Sequence, residues 1–201
     1  MPRLFILRHG NTFDKGDVIT RVGGRTDLPL SKSGLAQAAN IADVIAASDP
    51  NFALILSSPL ARTMETVRIV RDRTAPKIDI ETLDTMREID YGPDENQPEE
   101  AVIARIGADA LAQWDAAAVP PPGWLVDPPA LIDTWRQLFR RCAAIEGDTL
   151  VVTSNGVARF ALDAANSMPK DAPRKLKTAA FGIVLLSGAD NAAIVDWNVR
   201  S

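Results

Sequence analysis

Apolar residues fall along the chain in two alternating patterns. Short continuous runs, Leu4-Phe5-Ile6-Leu7, Ala53-Leu54-Ile55-Leu56 and the segment Thr149–Thr153, lack the polar alternation of a one-sided strand and predict strands buried on both faces. Longer stretches with apolar positions three and four apart separate them. Residues 31–47 predict a helix with Ser31 as N-cap and Leu35, Ala38, Ala42 and Ile45 on one face. Residues 60–73 predict a second helix, with Thr63, Val67 and Val70 aligned. Further strands are expected at Lys77–Glu81, Phe181–Leu186 and Ala192–Val199, and further helices at roughly 98–117, Ala130–Ile145 and Gly156–Ala165. Val119–Pro129 carries Pro120-Pro121-Pro122-Gly123 and Pro128-Pro129, a pattern read as neither helix nor central strand.

This alternation implies an α/β fold: a three-layer sandwich with a mostly parallel central sheet flanked by helices. One domain over residues 1–201 is expected, with a small cap inserted at roughly 93–129, between the third and fourth strands. Ligands of such sheets bind beyond the carboxyl ends of the strands, so the chemistry is to be sought in the loops that follow them. The first strand is followed by Arg8-His9-Gly10-Asn11-Thr12, the second by Ser57-Ser58-Pro59-Leu60-Ala61-Arg62, and the Thr149–Thr153 strand by Ser154-Asn155-Gly156, which opens a helix. Guanidinium forks and helix N-terminal N–H groups both bind anions. Taken singly, each of these residues has an ordinary surface or turn role; brought to one sheet edge, they describe a phosphate-sized pocket containing a histidine.

Composition narrows the chemistry further. One histidine (His9) and one cysteine (Cys142) among 201 residues exclude paired-histidine metal centres, cysteine-rich zinc sites and an intrachain disulfide framework. A net charge of -4 argues against a general nucleic-acid or anionic-membrane binder. No apolar run approaches a membrane span, and Leu4–Leu7 is too short for the core of a signal peptide, so a reducing cytoplasm is the expected compartment. Phosphate-binding glycine loops and serine-nucleophile elbows are absent from the sequence. Nothing in the sequence bears on oligomeric state.

The chemistry-bearing segments, in order, resemble those of the histidine phosphatase (phosphoglycerate mutase-like) superfamily. Leu7-Arg8-His9-Gly10 resembles its Arg-His-Gly signature. Gly24-Arg25-Thr26-Asp27-Leu28-Pro29-Leu30-Ser31, with Gly34 and Gln37-Ala38, is similar to the segment that follows. Ser58-Pro59-Leu60-Ala61-Arg62-Thr63, Arg87-Glu88-Ile89-Asp90-Tyr91-Gly92 and Val151-Val152-Thr153-Ser154-Asn155-Gly156 complete the set over roughly residues 3–160. The resemblance implies a metal-independent phosphomonoester hydrolase without cofactor, acting on a small phosphorylated substrate. His9 would be the nucleophile and form a phosphohistidine. Arg8 and Arg62 would hold the phosphoryl oxygens and keep His9 unprotonated. Glu88 would protonate the leaving alkoxide and then activate water, which requires a raised pKa. Asn155, Gly156, Thr12 and Asn11 are the further phosphate-binding candidates.

Two departures qualify the resemblance. Asn155 stands where the family has a second histidine, replacing a charged donor with a neutral one. The alternative it motivates is a catalytically weak or inactive phosphate-ligand sensor on the same fold. The asparagine that family members often carry shortly after the nucleophile is missing from Phe13-Asp14-Lys15-Gly16-Asp17, and Asp14 and Asp17 are expected to face solvent. The short insertion resembles phosphatases more than mutases. Within it Trp114 and Trp124 either stack on a substrate ring or cover core, and Arg21 and Arg25 are candidates for a second anionic group.

Overall fold

The computed structural model describes residues 1–200. Six strands form one mixed sheet: β1 (Arg3–Arg8), β2 (Phe52–Ser57), β3 (Ile80–Thr82), β4 (Asp148–Thr153), β5 (Phe181–Leu186) and β6 (Ala192–Val199). Their order is β3-β2-β4-β1-β5-β6, with parallel pairing from β3 through β1 and antiparallel pairing of β5 with β1 and with β6.

The continuously apolar strands work as their pattern demands. Successive side chains of β1 enter opposite cores: Phe5 and Leu7 join Ile41, Ile45, Val67 and Val70, whereas Leu4 and Ile6 join Trp135, Phe139, Val151 and Phe160. Helices α1 (Lys32–Ala47) and α2 (Ala61–Thr74) therefore cover one face. The other is covered by α5 (Pro128–Ala143) and two single-turn helices, α6 (Asn155–Ala158) and α7 (Ala161–Ala164). Ser31 caps α1, its hydroxyl accepting from Gly34 N–H at 3.2 Å.

Four boundaries differ from the sequence expectation. The single helix at 98–117 is two, α3 (Glu99–Ile106) and α4 (Ala108–Ala117), because Gly107 takes a φ of 83° that no helix interior accommodates. Pro128 and Pro129 lie inside α5: they fill its first turn, where a missing N–H costs nothing, behind Asp127, whose carboxylate accepts from Ala130 N–H at 3.1 Å. The helix at Gly156–Ala165 is interrupted between α6 and α7. The third strand is shorter and later than Lys77–Glu81.

Register sets the site. Leu7 pairs with Val152, Arg8 with Thr153 and Ser57 with Val152, so β1, β2 and β4 end side by side. The loops after them open together.

Candidate active site

His9 follows β1 directly. Its N–H donates to Thr153 carbonyl at 3.2 Å, and its carbonyl accepts from Ala179 N–H at 3.0 Å, so the backbone is held from both sides. The residue is buried, 6% exposed. Nδ1 lies 2.7 Å from the Gly10 carbonyl, which can only accept, so the proton sits on Nδ1. Nε2 lies 3.2 Å from Arg62 Nε, which can only donate, so Nε2 carries the lone pair. Burial, then Arg62 and Arg8, hold the imidazolium well below the usual histidine range, against a smaller opposing effect of the Gly10 carbonyl.

Arg62, in the first turn of α2, is fully buried. Besides His9 it donates to the carbonyls of Thr26 (2.8 Å) and Gly23 (3.2 Å), tying the 23–26 loop to α2. Asp27 accepts from Ala61 N–H at 2.6 Å and so caps the same helix end. Arg8 donates to Leu176 carbonyl at 2.8 Å, while its buried Nε has no protein partner among the described residues. Burial lowers the pKa of both arginines, opposed by the charge of Glu88.

Glu88 reaches the site from the 83–92 segment. Thr153 Oγ1 donates to Met86 carbonyl at 2.7 Å, and Gly24 N–H to Ile89 carbonyl at 2.9 Å. The carboxylate is buried and accepts from Ile89 N–H (2.9 Å) and Gly156 N–H (3.1 Å). A Cβ on Gly156 would lie 2.2 Å from Glu88 Oε1, so only glycine admits this approach. The Gly156 amide is thereby committed to Glu88, although its place after β4 suggested a phosphate contact.

Asn155 Oδ1 accepts from Leu176 N–H at 2.8 Å, which leaves the Nδ2 donors for the cavity that Asn155 lines. That cavity, about 400 Å³, is also lined by Arg8, His9, Asn11, Thr12 and Glu88. Its volume suits a small-molecule ligand. Asp14 turns away from it to the start of α1, where the Ser33 hydroxyl and N–H (2.9 Å), then the Ser31 hydroxyl and Lys32 N–H (3.2 Å), pull its pKa down to about 2. Arg25 binds Asp90 and Gly92 carbonyl instead of the cavity.

Beyond the histidine the cavity is walled by charged pairs: Arg21 with Glu99 of α3, and Arg159 and Lys175 with Asp115 of α4. Trp114, itself buried, joins this wall, whereas Trp124 donates from Nε1 to Asp94 at 2.7 Å and is core. Arg159 escaped the sequence reading. Its guanidinium lies 4.1 Å from the Trp114 ring and donates to Trp114 carbonyl at 2.5 Å, joining α4 to the end of α6, the helix that Asn155 opens. The available signal is one charge within the apolar run Val157-Ala158-Arg159-Phe160-Ala161-Leu162.

A buried neutral imidazole with its lone pair among arginines, beside a carboxylate, matches a known class of site. Residues 4–200 fit the model of the histidine phosphatase superfamily, branch 1, and the chain belongs to that superfamily. A glucosyl-3-phosphoglycerate phosphatase of Mycolicibacterium vanbaalenii is 34% identical over 122 residues, 60% of this chain and 51% of the relative. A probable phosphoglycerate mutase of Proteus mirabilis is 33% identical over 92 residues, 46% and 40% of the two chains. The chain thus spans about half the length of these curated relatives. Among solved structures, a mycobacterial glucosyl-3-phosphoglycerate phosphatase shares the fold with a TM-score of 0.80 at 22% identity, with both chains covered in full. Among the described residues no helix is long and apolar enough to cross a membrane.

Proposed function

We propose that this protein is a metal-independent phosphomonoester hydrolase in which His9 carries the phosphoryl group between two displacements. The observation that carries the reading is the defined state of the ring, with the proton on Nδ1 and the lone pair on Nε2. In the first step Nε2 attacks phosphorus, the P–O ester bond breaks, and Glu88 passes a proton to the departing alcohol oxygen. In the second, Glu88 takes a proton from water, the new P–O bond forms, and the N–P bond breaks to release phosphate. The Arg62 Nε–H moves from the ring nitrogen to a phosphoryl oxygen, where Arg8 and Asn155 Nδ2 supply further donors to the developing charge. Asn11 and Thr12 line the same cavity.

The insertion at 93–129 acts as the cap, with α3 and α4 closing over the leaving group. The charged wall of Arg21, Glu99, Asp115, Arg159 and Lys175 suits a small polar phosphoester, in keeping with the phosphoglycerate-derived substrates in the relatives' names. The cytoplasm is its proposed compartment.

Asn155 supports the second reading, a phosphate-ligand sensor. Hydrolysis of p-nitrophenyl phosphate in EDTA, with His9→Ala in parallel, decides between them. Turnover that disappears in the variant is the expected result; a folded wild type without turnover that still binds phosphate or vanadate favours the sensor.

A further inference from the structure

The hydrogen bond that sets the His9 tautomer ends on a glycine carbonyl, and glycine does little to hold its own peptides in place. Two peptide planes flank Gly10. The first presents Gly10 N–H, which donates to Thr66 Oγ1 at 3.3 Å; the Thr66 hydroxyl donates in turn to Arg62 carbonyl at 2.8 Å. The second carries the carbonyl bonded to His9 Nδ1 and presents Asn11 N–H, which donates to Gln37 Oε1 at 2.9 Å. Gly34 confines the same residue, since a Cβ on Gly10 would lie 2.4 Å from the Gly34 carbonyl oxygen.

The bonds close a circuit. Arg62 Nε donates to His9 Nε2, His9 Nδ1 to Gly10 carbonyl, Gly10 N–H to Thr66 Oγ1, and the Thr66 hydroxyl to Arg62 carbonyl. Thr66 is fully buried in α2, Gln37 half-buried in α1, and neither lines the cavity.

We infer that Gln37 and Thr66 are positioning residues that hold the two Gly10 peptides so that His9 keeps its proton on Nδ1 and presents Nε2 to the substrate. The inference rests on His9 acting as nucleophile. Rotation of the Gly10–Asn11 peptide would take the carbonyl from Nδ1 and release the ring to its other tautomer, whose lone pair faces Gly10 instead of the cavity. Gln37 anchors that peptide directly; Thr66 anchors the preceding one and ties it to the helix that carries Arg62.

The test uses the 15N-labelled 201-residue chain and the long-range proton–nitrogen correlations of its only imidazole. Wild type should show one neutral Nδ1–H species near neutral pH. Gln37→Met and Thr66→Val should each move that spectrum toward mixed tautomers and lower kcat for p-nitrophenyl phosphate about fivefold, with KM within about twofold. Gln37→Glu and Thr66→Ser, which keep the acceptor, should restore both readouts. Folded Gln37→Met and Thr66→Val proteins whose His9 spectrum matches wild type overturn the inference, whatever their activity. Should Thr66→Val fail to fold, Gln37→Met, at a half-buried site, carries the decision. A wild type without turnover overturns the proposed reaction, while the tautomer readout still judges the positioning.

Discussion

Arg62 Nε donates to His9 Nε2 across 3.2 Å, so the nitrogen assigned to attack phosphorus is engaged by a buried guanidinium. The contact specifies the lone pair, disfavours the imidazolium, and stations a positive charge where a phosphoryl oxygen must arrive. Lysine could supply the charge but not the three directed N–H contacts to His9, Gly23 and Thr26. Arg62→Lys should lower kcat by about 10²–10³, the effect of removing one preorganised donor. It should also destabilise the fold by about 1–3 kcal/mol through the orphaned loop carbonyls. Steady-state kinetics and urea unfolding read the two effects separately.

The depressed His9 pKa has a defined sign in both activity and stability. Because burial, Arg62 and Arg8 disfavour the imidazolium, His9 should stay neutral as pH falls through 6.5, its ordinary value. The proton resonances of the ring should therefore titrate, if at all, below that value. In the unfolded chain the same histidine takes up a proton below its usual pKa. This contribution to stability is thus fully present above 6.5 and is lost as pH falls toward the folded value, with a slope of at most about 1.4 kcal/mol per pH unit. A titration midpoint at or above 6.5 in the folded protein would contradict the burial and arginine effects.

Glu88 and Gly156 form a unit. Glu88→Gln places an amide NH2 against either Ile89 N–H or Gly156 N–H and removes the proton relay. Alkyl phosphate hydrolysis should fall about 10²–10⁴-fold. The burst of p-nitrophenol from p-nitrophenyl phosphate, whose leaving group departs without a proton, should slow far less, while the hydrolysis of the phosphohistidine that follows loses the same base. Gly156→Ala should reproduce the leaving-group dependence more weakly by displacing the carboxylate, since its Cβ would meet Glu88 Oε1 at 2.2 Å. A p-nitrophenol burst slowed as much as alkyl phosphate hydrolysis would remove Glu88 from protonation of the leaving group.

Asn155→His is expected to raise activity. An imidazolium has no acceptor, so the new ring gives up the Leu176 N–H contact that Oδ1 now makes at 2.8 Å and points a charged N–H into the cavity. Replacing a neutral donor by a charged one should raise kcat about five- to thirtyfold, equivalent to about 1–2 kcal/mol. Activity that appears only in the variant would mark the wild type as a sensor.

Much of this architecture is legible in the sequence because it rests on local patterns. A strand such as Leu4–Leu7, apolar at every position, has to fill two cores, and Phe5 and Leu4 do enter opposite ones. The parallel sheet then directs attention to Arg8, His9, Arg62 and Asn155, which follow strand ends. What the sequence hides is settled by tertiary partners. Gly107 breaks a helix that the alanine-rich pattern extends unbroken, and Pro128 starts one that its composition argues against. Gly156 resembles an anion-binding amide until Glu88, 68 positions earlier, takes its N–H. Arg159 reads as one residue of an ordinary helix because the ring beneath it, Trp114, belongs to α4 in the inserted segment. Gln37 stands in a recognisable segment, yet its hold on Asn11 N–H comes into view only when α1 is packed against the end of β1.

Trapping the covalent intermediate tests the reaction most directly. Since His9 is the only histidine, any phosphohistidine formed must lie on it. Enzyme mixed rapidly with p-nitrophenyl phosphate and quenched in alkali should carry one phosphoryl group by intact mass. That group should be labile to acid, absent from His9→Ala, and formed and lost at least as fast as the enzyme turns over. Turnover with no phosphoryl group on His9, or turnover that survives in His9→Ala, would contradict the mechanism.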